Sequence, residues 1–272
     1  MIQDGQHRNG SMINPSPLDL ANGNQGWTSD TLTYVPELDA GRPGGKLISS
    51  SNPLVVPVNS SLVSSTERSH ERRPKIDTMA VLTVVETKPN EGDFRPPYVG
   101  TDKTPQYNIS DIDYSVINKG LSSVENTPIM ADVSKQFERA WVDIAPDHLM
   151  GEIVPFSNMP AYGREYAICT SEAALMLFLD FSDTEKKELL ERYVQVGLDL
   201  YANMKAGMVW RANGGWMIGR KLPILLTAYL LGSTTMISDV SNSVNNSPMT
   251  FQEDGQHFYI TQDDVDLSHI VW

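Results

Sequence analysis

Cysteine is nearly absent: Cys169 stands alone in 272 residues, which excludes an intrachain disulfide and a cysteine-rich zinc site. Among helix-forming neighbours it reads as a small core side chain rather than a nucleophile. Long apolar runs are missing too. The longest, 222–231, falls well short of the ~20 residues that cross a bilayer, so no membrane span is expected. The opening MIQDGQHRNGSM has no basic region leading into an apolar one, so no secretory signal is legible there. Basic charge is also scarce, with 21 Lys and Arg against 34 Asp and Glu and a net charge of −13 at pH 7. The deficit deepens along the chain: residues 1–130 hold 11 basic and 15 acidic side chains, residues 131–272 hold 10 and 19. Such a surface repels phosphate, and no basic stripe offsets it, so nucleic acid is not an expected partner. There is no phosphate-cradling Gly-Lys-Ser element, no serine elbow, and no ligand spacing around His148 or His257. Neither a cofactor nor a metal is expected.

What is present divides the chain into four stretches. Residues 1–52 are rich in Gly, Asn, Ser and Pro without helical periodicity, and read as an extended arm that could hold a protein partner. Residues 53–127 read as a β- and loop-rich segment. In it, SSSNPLVVPVNSSLVSS favours β structure but is broken by Pro53 and Pro57, which places it at a sheet edge or in extended coil. The run TMAVLTVV, 78–85, predicts a strand, and its unbroken apolarity predicts cover on both faces. The long loop that follows carries Phe94, Pro96, Pro97 and Tyr98, with the two aromatics as its anchors.

Residues 128–232 read as helical. Val133, Phe137 and Trp141 recur every four residues and predict a helix over 129–141. The spacing of apolar residues predicts two longer helices, 161–180 and 183–205, joined by a short turn into an antiparallel hairpin. Ser182 and Glu185 form a capping box for the second, whose inner positions are Leu189, Leu190, Tyr193, Val194, Val196, Leu200 and Tyr201. Asp199 lies among them, and a buried carboxylate needs a partner; Arg220 and Arg164 are the candidates. Residues 233–272 read as irregular, with one strand at 257–261. The class is α+β, a β/loop-rich front followed by antiparallel α-hairpins.

The stretch around which these pieces are organised is WRANGGWMIGRKLPILLTAYLLG, 210–232. Asn213, Gly214 and Gly215 permit a sharp turn, because glycine adopts positive φ without a Cβ clash and asparagine tolerates it. Trp210 and Trp216 flank that turn. Pro223 suits the first turn of a helix over 222–231, Gly232 suits its end, and Leu225 is expected inside the core. Arg211, Arg220 and Lys221 make this the one place where a basic pocket could receive an anionic polysaccharide.

The pieces AVLTVVE, DFRPPYVGTDKT, FERAW, NMPAYGREYAICTSEAALMLFLDFSDTEK, YVQVGLDLY, ANGGWMIGRKLPILL and FQEDGQHFYI, spread over 78–260, resemble a group of large, mostly uncharacterised proteins of environmental bacteria. The helical region of that group is similar to the α/α-toroid, or six-hairpin, domain of polysaccharide lyases and glycoside hydrolases. The resemblance implies part of a toroid, a truncated version with fewer helices than the full ring, and a tryptophan, Trp216, where the group carries histidine. It also implies a carbohydrate-associated protein, with β-elimination at a uronate as the chemistry. That reaction needs the substrate carboxylate screened and a base within reach of the α proton. By that resemblance Tyr162 is the acid/base and Asn213 and Arg220 hold the carboxylate. Asn158, Arg164 and Lys221 are further binding residues, and Trp210 and Trp216 stack on sugar rings. A hydrolase would instead use two facing carboxylates, from Glu165, Glu172, Asp199, Glu253 and Asp254. Against this stands the reading of the same residues as packing and ion-pair residues of a non-catalytic structural or binding module of a larger assembly, since aromatic residues fill cores and interfaces more often than they line sites. The arrangement of Asn158, Tyr162, Asn213 and Arg220 distinguishes the two: around an open pocket in an enzyme, buried or scattered in a module.

Overall fold

The computed structural model describes residues 9–17, 50–51, 53–68, 74–146, 150–211, 214–246, 249–255, 262 and 265. Three strands, β1 (Asn9–Ile13), β2 (Ser60–Glu67) and β3 (Ile76–Val84), form an antiparallel sheet in the order β1-β2-β3. Two expectations change here. Part of the arm is a strand of the sheet, and β2 is its centre rather than its edge. Pro53 and Pro57 lie before β2, so the ladder, which needs a donor at every paired position, starts only at Ser60. Its register places Thr66 opposite Thr78 and Ser61 opposite Thr83, and both hydroxyl pairs close, at 2.6 and 2.8 Å.

The strand expected over 78–85 is β3, but it is an edge covered only in part. Ile76 and Met79 are buried, whereas Leu82 is 59% exposed. β-Branched residues supply strand propensity; cover depends on what packs above, and residues from a link between two helices meet this strand at its first residues. They do so where Ile76 bridges Pro155, with the N–H groups of Phe156 and Ser157 donating to Ile76 O and Asp77 O.

The helices are α1 (Met130–Gln136), α2 (Met150–Ile153), α3 (Gly163–Phe178), α4 (Asp183–Lys205), α5 (Lys221–Leu230) and α6 (Thr234–Asn242). α1 is shorter than the spacing predicts, yet Val133, Phe137 and Trp141 are all buried. The Trp141 indole N–H donates to Gln136 O at 2.9 Å, satisfying a terminal carbonyl, and its ring stacks on Phe137 at 4.7 Å. A short link, 179–182, folds α4 back against α3. The capping box is present, with Ser182 N–H donating to Glu185 Oε2 at 2.8 Å and Glu185 N–H to Ser182 Oγ at 3.3 Å.

α5 packs chiefly on α4, and Gly197 is what lets it come close. A Cβ there would lie 2.0 Å from Thr227 Oγ1 and 2.6 Å from Pro223 O. Ile224, Ala228 and Leu230 are fully buried, but Leu225 is only half-buried, so it is a flank of the core rather than its centre. Gly232, at φ +59°, ends the helix.

α6 corrects the irregular reading of 233–272. Ser233 Oγ caps it by accepting from Met236 N–H, and Met236 and Val240 form its buried stripe, which Ser243, the residue after the helix, continues. Its Thr and Ser content hides a stripe only three residues long. The strand expected at 257–261 lies outside the described residues. The molecule is thus a mixed α+β protein, a small antiparallel sheet set against a helical body. Among the described residues no helix is long and apolar enough to cross a membrane.

Candidate functional site

The glycine loop leads to Arg220, the last residue before α5, and Arg220 is completely buried. Its Nε donates to Asp143 Oδ2 at 2.8 Å and its Nη2 to Asp143 Oδ1 at 3.5 Å. Nη1 donates to Ile218 O at 2.8 Å and Trp216 O at 3.1 Å. The guanidinium carbon lies 3.7 Å from the centre of the Tyr166 ring. All three nitrogens are therefore used inside the protein. A fully desolvated guanidinium holds its place only with this degree of satisfaction.

Its neighbours are placed differently. Tyr162, the residue before α3, donates its hydroxyl to Gly214 O and meets Trp216 edge-on at 4.7 Å. Both rings are half-buried. Tyr162 and Arg164 line an open cavity of about 480 Å³ with Ile168, Gly215 and Ile218. Arg164 is exposed and its Nε donates to Glu165 Oε1 at 3.0 Å. Asn158 belongs elsewhere: its amide donates to Arg139 O and Ala140 O at 3.3 and 3.4 Å. Trp210 is fully buried and stacked on Phe251 at 5.3 Å, so neither ring face is open to a sugar. Lys221 is paired with Asp254, and Glu253 Oε1 accepts from the N–H groups of Gly219 (2.7 Å) and Lys221 (3.4 Å), satisfying donors at the start of α5. Asn213 lies outside the described residues. The structure thus brings together Tyr162, Arg164 and Trp216, turns the Arg220 guanidinium inward onto Asp143 and the Trp216 carbonyl, buries Trp210 against Phe251, and ties Asn158 to the 139–140 backbone.

A second cluster was not legible as a site. Asp199 is buried, as its apolar helix implies, but its partner is Arg95 rather than Arg220 or Arg164. Arg95 comes from the Pro-rich loop, where Phe94 and Tyr98 bury on either side and carry the guanidinium inward. Burial pushes the Asp199 carboxyl above its usual range, against the opposing pull of Arg95. Tyr98 and Asn203 continue the polar path: Asn203 Nδ2 donates to Tyr98 OH at 2.8 Å, Tyr98 OH donates to Trp141 O at 3.2 Å, and Asp143 N–H donates to Tyr98 OH at 3.1 Å. One connected network therefore runs from α4 through the loop to Asp143 and Arg220. Two cavities open beside it, of about 420 and 400 Å³, and Phe94 and Arg95 are walls of both. The flanking aromatics were the available signal, since a residue held between two buried rings must itself approach the core.

Lys103 closes the loop from behind, 2% exposed, with Nζ donating to Pro97 O at 2.6 Å and Val99 O at 3.3 Å. Burial first, then Arg95, pushes its ammonium down to about 8. A lysine whose folded value lies below its unfolded one binds fewer protons when folded over that interval, so stability from this group rises with pH between about 8 and 10.5. Replacement of Lys103 by Met should abolish that rise. Urea melts of both proteins between pH 8 and 10 check it, and parallel pH profiles would contradict it.

Among the described residues no three His, Cys, Asp or Glu side chains are grouped to hold a metal ion. Burial pushes the Cys169 thiol up, away from the thiolate a nucleophile needs. Comparison with protein-family models, curated proteins and solved structures finds no significant match to this chain.

Proposed function

We propose that this chain is a non-catalytic, carbohydrate-associated binding module, an inactive relative of the α/α-toroid polysaccharide lyases whose helices correspond to part of that toroid. The observation that carries the non-catalytic half is Arg220. A lyase needs a cation or donor free to meet the substrate carboxylate, and here all of that guanidinium's nitrogens are committed to Asp143 and two backbone carbonyls behind a closed surface. Lys221, the next basic residue, is held by Asp254. The carbohydrate half is supported by the sequence resemblance and by open, partly apolar cavities bordered by aromatic and polar side chains, in the size range of small-ligand sites. An acidic polysaccharide and a protein partner held through 1–52 belong to the same proposal; within that arm, Asn9–Ile13 is tied to β2.

The test is incubation of the protein with oligomers of galacturonate, glucuronate and mannuronate, followed by absorbance in the unsaturated-uronate band. No rise above buffer is expected. Unsaturated product that disappears in Tyr162→Phe would overturn the non-catalytic reading and return Tyr162 to the acid/base role.

A further inference from the structure

We propose that the 400 Å³ cleft between the 92–95 loop, residues 137–140 and α4 binds a neutral polyhydroxylated ligand, a sugar ring whose hydroxyl donates to the Oδ1 oxygen of Asp199. The proposal rests on the carbohydrate-associated reading above and assigns it a place and a ligand class different from the glycine loop and its acidic glycan.

Asp199 lines this cleft at 1% exposure. Its Oδ2 is held by Arg95, while its Oδ1 is buried without a hydrogen-bond partner. The nearby donors do not fill the gap. The Gln195 amide donates to Arg95 O at 3.1 Å; it and the Tyr98 backbone N–H lie close enough to Asp199 to favour its ionised form, yet neither completes a hydrogen bond to Oδ1. A buried carboxylate oxygen left in this state is destabilising, so a donor arriving through the cleft gains more than it would at a solvated surface.

Charge decides the class of donor. An anion would meet Asp93, Glu138, Glu191 and Asp199 along the same walls. Arg192 offers it little, being bound to Glu188 and to Ser134 O, and with Arg95 and the exposed Arg139 counted the walls still set four carboxylates against three guanidiniums. A cation reaching Asp199 would lose its hydration against Arg95, which already neutralises that carboxylate, while Asp93, Glu138 and Glu191, none of them buried, would hold it only where water screens them. A neutral hydroxyl supplies the missing hydrogen bond and brings no charge. Phe94, Phe137 and Val196 provide apolar wall for the C–H faces of a sugar. The adjoining 420 Å³ cavity, reached past Phe94 and Arg95 and bordered by Tyr107 and Tyr201, gives room for a neighbouring ring.

Titration calorimetry with cellohexaose, maltohexaose and hexagalacturonate, on the full chain and three variants, tests this. Arg139→Trp and Glu138→Trp place an indole at the cleft mouth from exposed positions, and Trp216→Ala removes the glycine-loop ring. At least one neutral hexasaccharide should bind wild type. Each cleft variant should weaken it by about tenfold or more, the scale of a lost hydrogen bond together with its contacts, at an unchanged melting temperature. Hexagalacturonate should bind more weakly than the neutral sugar. Binding that survives both cleft variants but is lost in Trp216→Ala overturns the cleft and leaves the carbohydrate reading standing. Hexagalacturonate binding that is tighter than the neutral sugar's, persists in Trp216→Ala and is lost in the cleft variants overturns the neutral class. Binding of none of the three overturns the proposal and the carbohydrate reading together.

Discussion

Arg220→Ala is expected to lower stability by about 3–5 kcal/mol, the cost of breaking a buried ion pair from one side. Four groups lose their partner at once. Asp143 is left as a buried carboxylate without its counter-charge, the carbonyls of Trp216 and Ile218 lose their donor, and the Tyr166 ring loses the cation on its face. Against a total of roughly 5–15 kcal/mol for ordinary domains, that is enough to unfold a large fraction of the chain on mild warming. Arg220→Lys should recover little, because an ammonium cannot span both carboxylate oxygens and two carbonyls in one plane. The double replacement Arg220→Met with Asp143→Leu should be less damaging than Arg220→Ala, since it removes the charge left behind. Urea melts order the three variants. A loss below about 1 kcal/mol for Arg220→Ala, within the ordinary scatter of single substitutions, would mean that the guanidinium is spare and would restore it as a candidate ligand group.

This arginine also shows why the site was less legible than the fold. α4 was readable from local signals alone: Ser182 and Glu185 at one end, and Leu189, Leu190, Tyr193, Val194, Val196 and Leu200 on its buried side. Pro223 and Gly232 likewise marked α5, because capping and backbone chemistry act within a few residues. The partners of Arg220 and Asp199 lie 77 and 104 residues away, and no periodicity encodes a contact at that separation. What could be read was the need for a partner. Choosing among the cations required knowing that Phe94 and Tyr98 both bury, which takes Arg95 to α4 while Arg220 goes to Asp143. The same limit explains β2, where the prolines could be seen but not the ladder position at which they stop mattering. α6 was missed for a different reason: its buried stripe is short and its polar residues mask it.

The other large effect is expected at Gly163, the first residue of α3. Gly163→Ala should destabilise the chain by about 1–3 kcal/mol or more, the range for inserting volume into a filled site. A Cβ at this position would lie 2.1 Å from Gly215 O, 2.4 Å from Trp216 O and 2.5 Å from Trp216 C. All three are backbone atoms, so no rotamer change relieves the overlap and the glycine loop itself must move. Trp216 O accepts from Arg220, and Gly214 O accepts from Tyr162. Moving the loop therefore strains the buried ion pair on one side and the Tyr162–Trp216 ring pair on the other. The expected signature is a loss of stability together with a red shift of indole emission as Trp216 meets more water. Gly100→Ala is the control: nothing lies within 4 Å of its Cβ position, so only its φ of +74° opposes the change. That cost should be smaller, with no indole shift. Equal stability loss in the two variants, with unshifted emission in both, would show that the start of α3 does not brace the glycine loop, and that the turn holds its shape through Gly214 and Gly215 alone.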